Sequence, residues 1–252
     1  MDYGCFAPAV VFVEVFKRQR VPITIEEARV PMGAHKRVHI AAITKMPEVA
    51  ARWEKEHGRP CDDSDVDRMF AEFVPLQLAC LADYAELIPG ALDAVSAFRK
   101  RGLKIGSTTG YLIDMTKLLM DEAKKRGYAP DVSVCAEEAP PGRPEPWMCL
   151  ENARRLRVFP VHAIVKIGDT LPDIEEGLHA GMWTIGLAKT GNEMGLQEKD
   201  IAALTADDYN RRIRRAYDRL HATGAHYVVD SIADCPPLLD EIDERIARGE
   251  RP

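Results

Sequence analysis

The stretch Ala163-Ile164-Val165-Lys166-Ile167-Gly168-Asp169-Thr170-Leu171-Pro172-Asp173 sets the reading of the whole chain. Ala163 to Ile167 is short, mostly apolar and rich in β-branched side chains, the composition of a buried strand. A glycine closes it, and two aspartates follow, at positions 169 and 173. Ile174 to Ala180 then carries helical spacing, and Met182 to Leu187 is a second apolar strand. Strand, helix, strand is the unit from which parallel sheets are made. The same texture extends in both directions. Upstream lie a helix over Leu92 to Arg101 and a strand over Leu103 to Ser107 that runs into Thr108-Thr109-Gly110. A helix over Tyr111 to Arg126 is stopped by Gly127. A strand over Val132 to Cys135 and a helix over Pro146 to Arg157 follow, the latter opening on proline. Downstream are a charged helix over Asp208 to Arg219, a strand over Tyr227 to Val229 and a charged helix over 240–251. The expected fold is α/β, a doubly wound parallel sheet with helices on both faces.

Ahead of Ile88 the texture is helical only. Phe6 to Arg18 has apolar residues at helical spacing. Thr24 with Glu27 makes a capping box, and Pro31 ends that short helix. Met32 to Met46 reads as a further helix, and Pro47 opens another. Ser64 or Asp65 is the expected cap of a long helix reaching about Glu86, bent at Pro75.

Composition narrows the function classes. The 252 residues are 46% hydrophobic and 29% charged, ordinary for a globular protein. Asp plus Glu is 40 against 34 for Lys plus Arg, a net charge of −6. That balance argues against a nucleic-acid partner, which would demand a basic face. No apolar run approaches the ~18 residues of a membrane span, and no charged-then-apolar leader is recognisable. None of the six cysteines forms a C-x-x-C pair. Reduced thiols in a cytoplasmic protein are the expectation.

Ligands of open parallel sheets sit at the carboxyl ends of the strands, so those ends are where chemistry is sought. Asp169 and Asp173 offer hard oxygen ligands suited to Mg²⁺. Asp173 also fits as a helix cap with Glu176 as its box partner. Thr109 and Gly110 end a strand before a helix, a place for an anion or an ordinary polar turn. Arg143 lies between prolines in Pro141-Gly142-Arg143-Pro144-Glu145-Pro146. Its guanidinium suits a phosphoryl group if the stiff loop aims it inward, and is a solvated surface charge otherwise. In the helical part, Met32, Lys36 and His39 are spaced four and three apart, one helix face. Desolvation there would make Lys36 an amine nucleophile. The plainer reading, a surface lysine laying its stem over apolar neighbours, is the one sequence physics favours.

The strand-end sites, in this order and spacing, resemble the haloacid dehalogenase superfamily. Within it, Asp2-Tyr-Gly-Cys-Phe-Ala-Pro8, Glu26-Glu-Ala-Arg29, Pro31-Met-Gly33 with Lys36, Gly106-Ser-Thr-Thr-Gly-Tyr111, Gly142-Arg-Pro144 with Pro146-Trp-Met-Cys149, and Gly168-Asp-Thr170 resemble the phosphonoacetaldehyde hydrolase (phosphonatase) family. The resemblance implies a doubly wound core with an inserted helical cap. It places the cap at 5–85 and the core at 1–4 and 86–252. It implies hydrolysis of phosphonoacetaldehyde to acetaldehyde and phosphate with Mg²⁺, in phosphonate degradation, by a homodimer. Lys36 would be the Schiff-base lysine. Thr109, Gly110 and Arg143 would bind the phosphoryl group, and Asp169 and Asp173 the metal. Cys5, Met32, His39 and Tyr111 match positions that line the family's site or assist proton movement. The family also begins with a strand ending in Asp-x-Ala-Gly-Thr, whose Asp is the nucleophile. No such string occurs in the 252 residues. The first core strand is therefore expected to be missing, leaving unpaired backbone on both its neighbours. A start upstream of Met1 is the expected explanation, with an inactive relative as the alternative. The rival functions are a different phosphatase of the superfamily, which needs no cap lysine, and a non-catalytic phosphonate binder.

Overall fold

The computed structural model describes residues 1–252, and its first third is helical. α1 (Phe6–Arg18), α2 (Ile25–Arg29), α3 (Lys36–Thr44), α4 (Pro47–His57) and α5 (Asp63–Cys80) follow one another. Val11, Phe12, Val15 and Phe16 of α1 pack with Ile40 and Ile43 of α3, Trp53 of α4 and Met69 and Phe73 of α5 in one apolar core. The Thr24–Glu27 capping box is formed in both directions, and Pro47 occupies the first turn of α4.

Two helix boundaries differ from expectation. Residues 31–34 form a turn in which Gly33 has φ +98°, so α3 begins only at Lys36. Met32 therefore does not ride on the helix that carries Lys36 and His39; a left-handed glycine is a poor place to continue a helix. The cap of α5 is Asp62, not Ser64 or Asp65. Its carboxylate accepts the N–H groups of Ser64 and Asp65, and Asp65 returns a bond to the Asp62 N–H. The helix contains Pro75 and passes at Leu81 into a 3-10 turn, short of Glu86.

The remainder alternates: α6 (Ala91–Lys100), β1 (Gly106–Thr109), α7 (Ile113–Lys125), β2 (Val132–Cys135), α8 (Trp147–Leu156), β3 (Val165–Gly168), α9 (Leu171–His179), β4 (Trp183–Leu187), α10 (Glu198–Ala202), α11 (Ala206–Ala222), β5 (Tyr227–Val229) and α12 (Cys235–Ala247). β1 starts at Gly106 rather than Leu103, because its partner β2 starts only at Val132. All pairings are parallel, as the strand–helix alternation predicts. The core of the helical region continues onto α7 through Leu112, Met115 and Leu119. No helix is long and apolar enough to cross a membrane, and all six cysteines are free.

The strands do not form one sheet. β1 pairs with β2, while β3, β4 and β5 make a separate three-stranded sheet. A cavity of about 720 Å³ is lined by residues of both β1 and β3 and by apolar side chains such as Ile105, Val165, Ile167, Leu239 and Ile242. No backbone ladder joins the two sheets. Side chains span the gap instead: Lys166 of β3 donates to Thr108 Oγ1 of β1 at 2.6 Å.

Candidate active site

At the carboxyl ends of β1 and β3 the cavity becomes polar. Every residue singled out from the sequence lines it except His39. The core side is built by α9. Thr170, not Asp173, caps this helix: its Oγ1 accepts the Asp173 N–H. That frees the Asp173 carboxylate, which receives Arg143 Nη2 and Lys166 Nζ at 2.8 Å each. Glu176, one turn on, takes Arg143 Nε at 2.8 Å and Lys166 Nζ at 3.1 Å. Arg143 Nη2 also donates to Thr108, to its carbonyl at 3.1 Å and its hydroxyl at 2.6 Å. Arg143 is thus aimed inward, not solvated.

Two cations and two anions form this buried quartet. Burial alone would push the Asp173 carboxyl up; Arg143 and Lys166 overcome it and hold Asp173 well below the usual carboxylate range. Burial works against the Lys166 charge too, but Asp173 and Glu176 raise that lysine to about 12. Gly168 and Gly177 make the approach possible. A Cβ at Gly168 would stand 2.2 Å from Asp173 Cβ, and one at Gly177 2.8 Å from Lys166 Cβ.

Asp169 stands outside the quartet. It is pushed up by burial first and by the Asp173 charge second. Its Oδ2 accepts from Cys5 Sγ at 2.9 Å. Burial raises the Cys5 thiol well above its ordinary value, with Asp169 adding to it, so the sulfur keeps its proton and donates. A buried carboxylate oxygen is the kind of ligand a hard divalent cation takes; the protonated thiol beside it is not. The donor set is small, since nowhere do three His, Cys, Asp or Glu side chains converge.

The helical region closes the cavity from above. Lys36 opens α3, is 3% exposed, and holds its Nζ 4.5 Å from the centre of the Tyr111 ring. Burial lowers its pKa to about 8. The cap meets the core backbone to backbone. A Cβ on Gly110 would lie 2.6 Å from the Gly33 carbonyl oxygen and 2.9 Å from that of Ala34. Arg29 of α2 is a second tie, bonded to the Gly4 carbonyl and to Asn192 Oδ1, the latter at 3.3 Å. Met32, 3% exposed, faces the cavity from the turn before α3. His39 is placed elsewhere, in the cap core. It stacks on Phe12 at 3.9 Å and donates from Nε2 to the Ala28 carbonyl at 2.8 Å. Burial, then the nearby Lys36 charge, holds it well below its ordinary value, hence neutral.

Reading the sequence alone missed Thr108, Lys166 and Glu176. One signal was present: a lysine inside an otherwise apolar strand needs buried counter-ions, and carboxylates one turn apart on the next helix supply them.

A family model described as haloacid dehalogenase-like hydrolase matches residues 8–181. A phosphonoacetaldehyde hydrolase-like protein of Syntrophobacter fumaroxidans is 48% identical, covering 100% of this chain and 91% of its own. A phosphonoacetaldehyde hydrolase of the same organism is 46% identical, again over 100% and 91%. Among solved structures, the phosphonoacetaldehyde hydrolase-like protein of Oleispira antarctica superposes with a TM-score of 0.96 at 39% identity, over 100% of this chain and 91% of that one. With the polar strand ends and the closed helical cap, these place the chain among the haloacid dehalogenase-like hydrolases, in the phosphonoacetaldehyde hydrolase family.

Proposed function

We propose that this site serves the hydrolysis of phosphonoacetaldehyde to acetaldehyde and phosphate, with Lys36 forming a Schiff base. One observation carries the reading. A lysine amine, buried against an aromatic face and lowered to about 8, shares a cavity with Arg143 and the Thr109–Gly110 strand end. A plain phosphatase has no use for such an amine. The Lys36 amine adds to the aldehyde and expels water, giving an iminium. When the carbon–phosphorus bond breaks, its electron pair moves into the iminium, which becomes an enamine while the phosphoryl group passes to an oxygen nucleophile, water itself or a carboxylate that water then frees, and leaves as phosphate. Protonation at carbon and attack by water then release acetaldehyde and restore the amine. Arg143, Thr109 and Gly110 hold the phosphoryl oxygens, and the closed cap excludes water. Cys5, Met32 and Tyr111 shape the aldehyde end, while His39, stacked on Phe12 and bonded to the Ala28 carbonyl, steadies α3 behind Lys36 from outside the cavity. A divalent cation, read as Mg²⁺, would be held by Asp169 with Asp173 in support and would neutralise phosphonate charge. A cytoplasmic homodimer belongs to the same reading, by resemblance.

The carboxylates at hand are engaged. Asp2 accepts the N–H groups of Phe6 and Ala7, Asp173 is ion-paired, and Asp169 is reserved for the cation. The 252-residue chain is therefore expected to form the imine without turning over. Borohydride added with phosphonoacetaldehyde should fix one reduced adduct on Lys36, read by mass spectrometry, and none in Lys36→Arg. An unmodified wild-type Lys36 would end this reading in favour of another phosphatase of the superfamily.

A further inference from the structure

We propose that Glu176 is a positioning residue that fixes the plane of Arg143 and aims its free Nη1 at the phosphoryl group. The inference rests on the reading above, in which Arg143 is the phosphoryl ligand. Glu176 is fully buried. Its Oε2 is a hub, within 2.8 Å of Arg143 Nε, 3.1 Å of Lys166 Nζ and 3.4 Å of Thr108 Oγ1. Its other oxygen, Oε1, is buried without a partner. A carboxylate placed for packing alone would be a poor choice here, because burying an unshared lone pair costs and an apolar side chain would not pay it. The charge is what the position uses.

The geometry shows for what. Arg143 has four rotatable side-chain bonds, and one ion pair would leave its guanidinium free to turn. Asp173 and Thr108 hold Nη2. Glu176 holds Nε. Two anchors on adjacent nitrogens fix the plane of the fork, and neither uses Nη1. A fork fixed beforehand loses less freedom when it takes an anion. The same helix also steadies the loop that carries Arg143, since His179 donates from Nδ1 to the Pro144 carbonyl at 2.7 Å. Gly177 then lets α9 press close enough to β3 for Glu176 to reach both cations.

The test titrates inorganic phosphate into the 252-residue protein by calorimetry. Glu176→Gln is expected to weaken phosphate binding about tenfold relative to wild type, the scale of one charge-assisted bond. Glu176→Asp, which restores charge, should recover part of the loss. In an Arg143→Gln background, Glu176→Gln should change affinity less than about twofold, because nothing remains to be positioned. Equal loss in both backgrounds would make Glu176 a structural residue and overturn the proposal, as would wild-type affinity in Glu176→Gln. If Glu176→Gln does not fold, the same titration is read on Glu176→Asp with and without Arg143→Gln; equal losses in the two backgrounds overturn the proposal too. A wild-type protein that binds no phosphate would instead refute the phosphoryl role of Arg143, and this inference with it.

Discussion

Burial strips water from the Lys36 ammonium, and no carboxylate takes its place; the Tyr111 ring does. The amine therefore gives up its proton near pH 8, where an exposed lysine would wait until about 10.4. Adduct formation under borohydride should accordingly rise through about pH 8 and level above it, measured as initial rate against pH. A climb centred near pH 10 would mean that the amine meets solvent. The sign for stability is the reverse of an ion-paired lysine. Between about 8 and the unfolded value the unfolded chain binds the extra proton, so this group's contribution grows more favourable as pH rises through that window. At this scale the sequence marked Asp169 as a candidate because strand ends in a parallel sheet are chemically privileged, and Arg143 because prolines stiffen its loop; both side chains line the cavity. It could not announce the burial of Lys36, which depends on a lid whose contact with the core is made by distant residues. Lys166 and Glu176 left only an indirect trace, a lysine in an apolar strand that needs counter-ions and carboxylates one turn apart on the next helix.

Between elements, the turn before α3 lies directly on the end of β1. Gly110 has no Cβ because the Gly33 and Ala34 carbonyls occupy its place. Gly110→Ala should hold the cap off the core and misplace Lys36 by the better part of an ångström. Trapping of the aldehyde should then slow on the order of tenfold to a hundredfold, while circular dichroism stays unchanged. An unaltered trapping rate would show that the cap closes without this contact. Helix limits were legible where capping chemistry is strong: the Thr24–Glu27 box and Pro47 lie where their side chains demand. The failures have the same physical root. Asp62 outcompeted its neighbours as a cap because Arg59 and Arg68 hold its box partner Asp65. The turn at Gly33 was invisible because a lone glycine inside helical spacing carries no period of its own.

The whole molecule is divided along the line between β1 and β3. Parallel strands, helices on both faces and the position of the ligand site followed from the alternation of strand and helix. Division into two sheets followed only from knowing what usually lies between them, since periodicity describes the strands a chain has. Backbone groups facing the 720 Å³ cavity lack ladder partners. Amide exchange followed by mass spectrometry should therefore be faster across Ile105–Thr109 and Val165–Gly168 than across β4, which is paired on both sides. Uniform protection of all three would contradict an open seam.

The bridge from Lys166 to Thr108, with Arg143 tied to both halves, then acquires a mechanical meaning. It is a hasp across a seam that no backbone ladder closes, and on the proposed reading the anion seat is that hasp. Whatever oxyanion settles on Arg143 also draws the halves together. Occupancy should be felt as heat resistance, the melting temperature rising with the logarithm of phosphate concentration once that exceeds the dissociation constant.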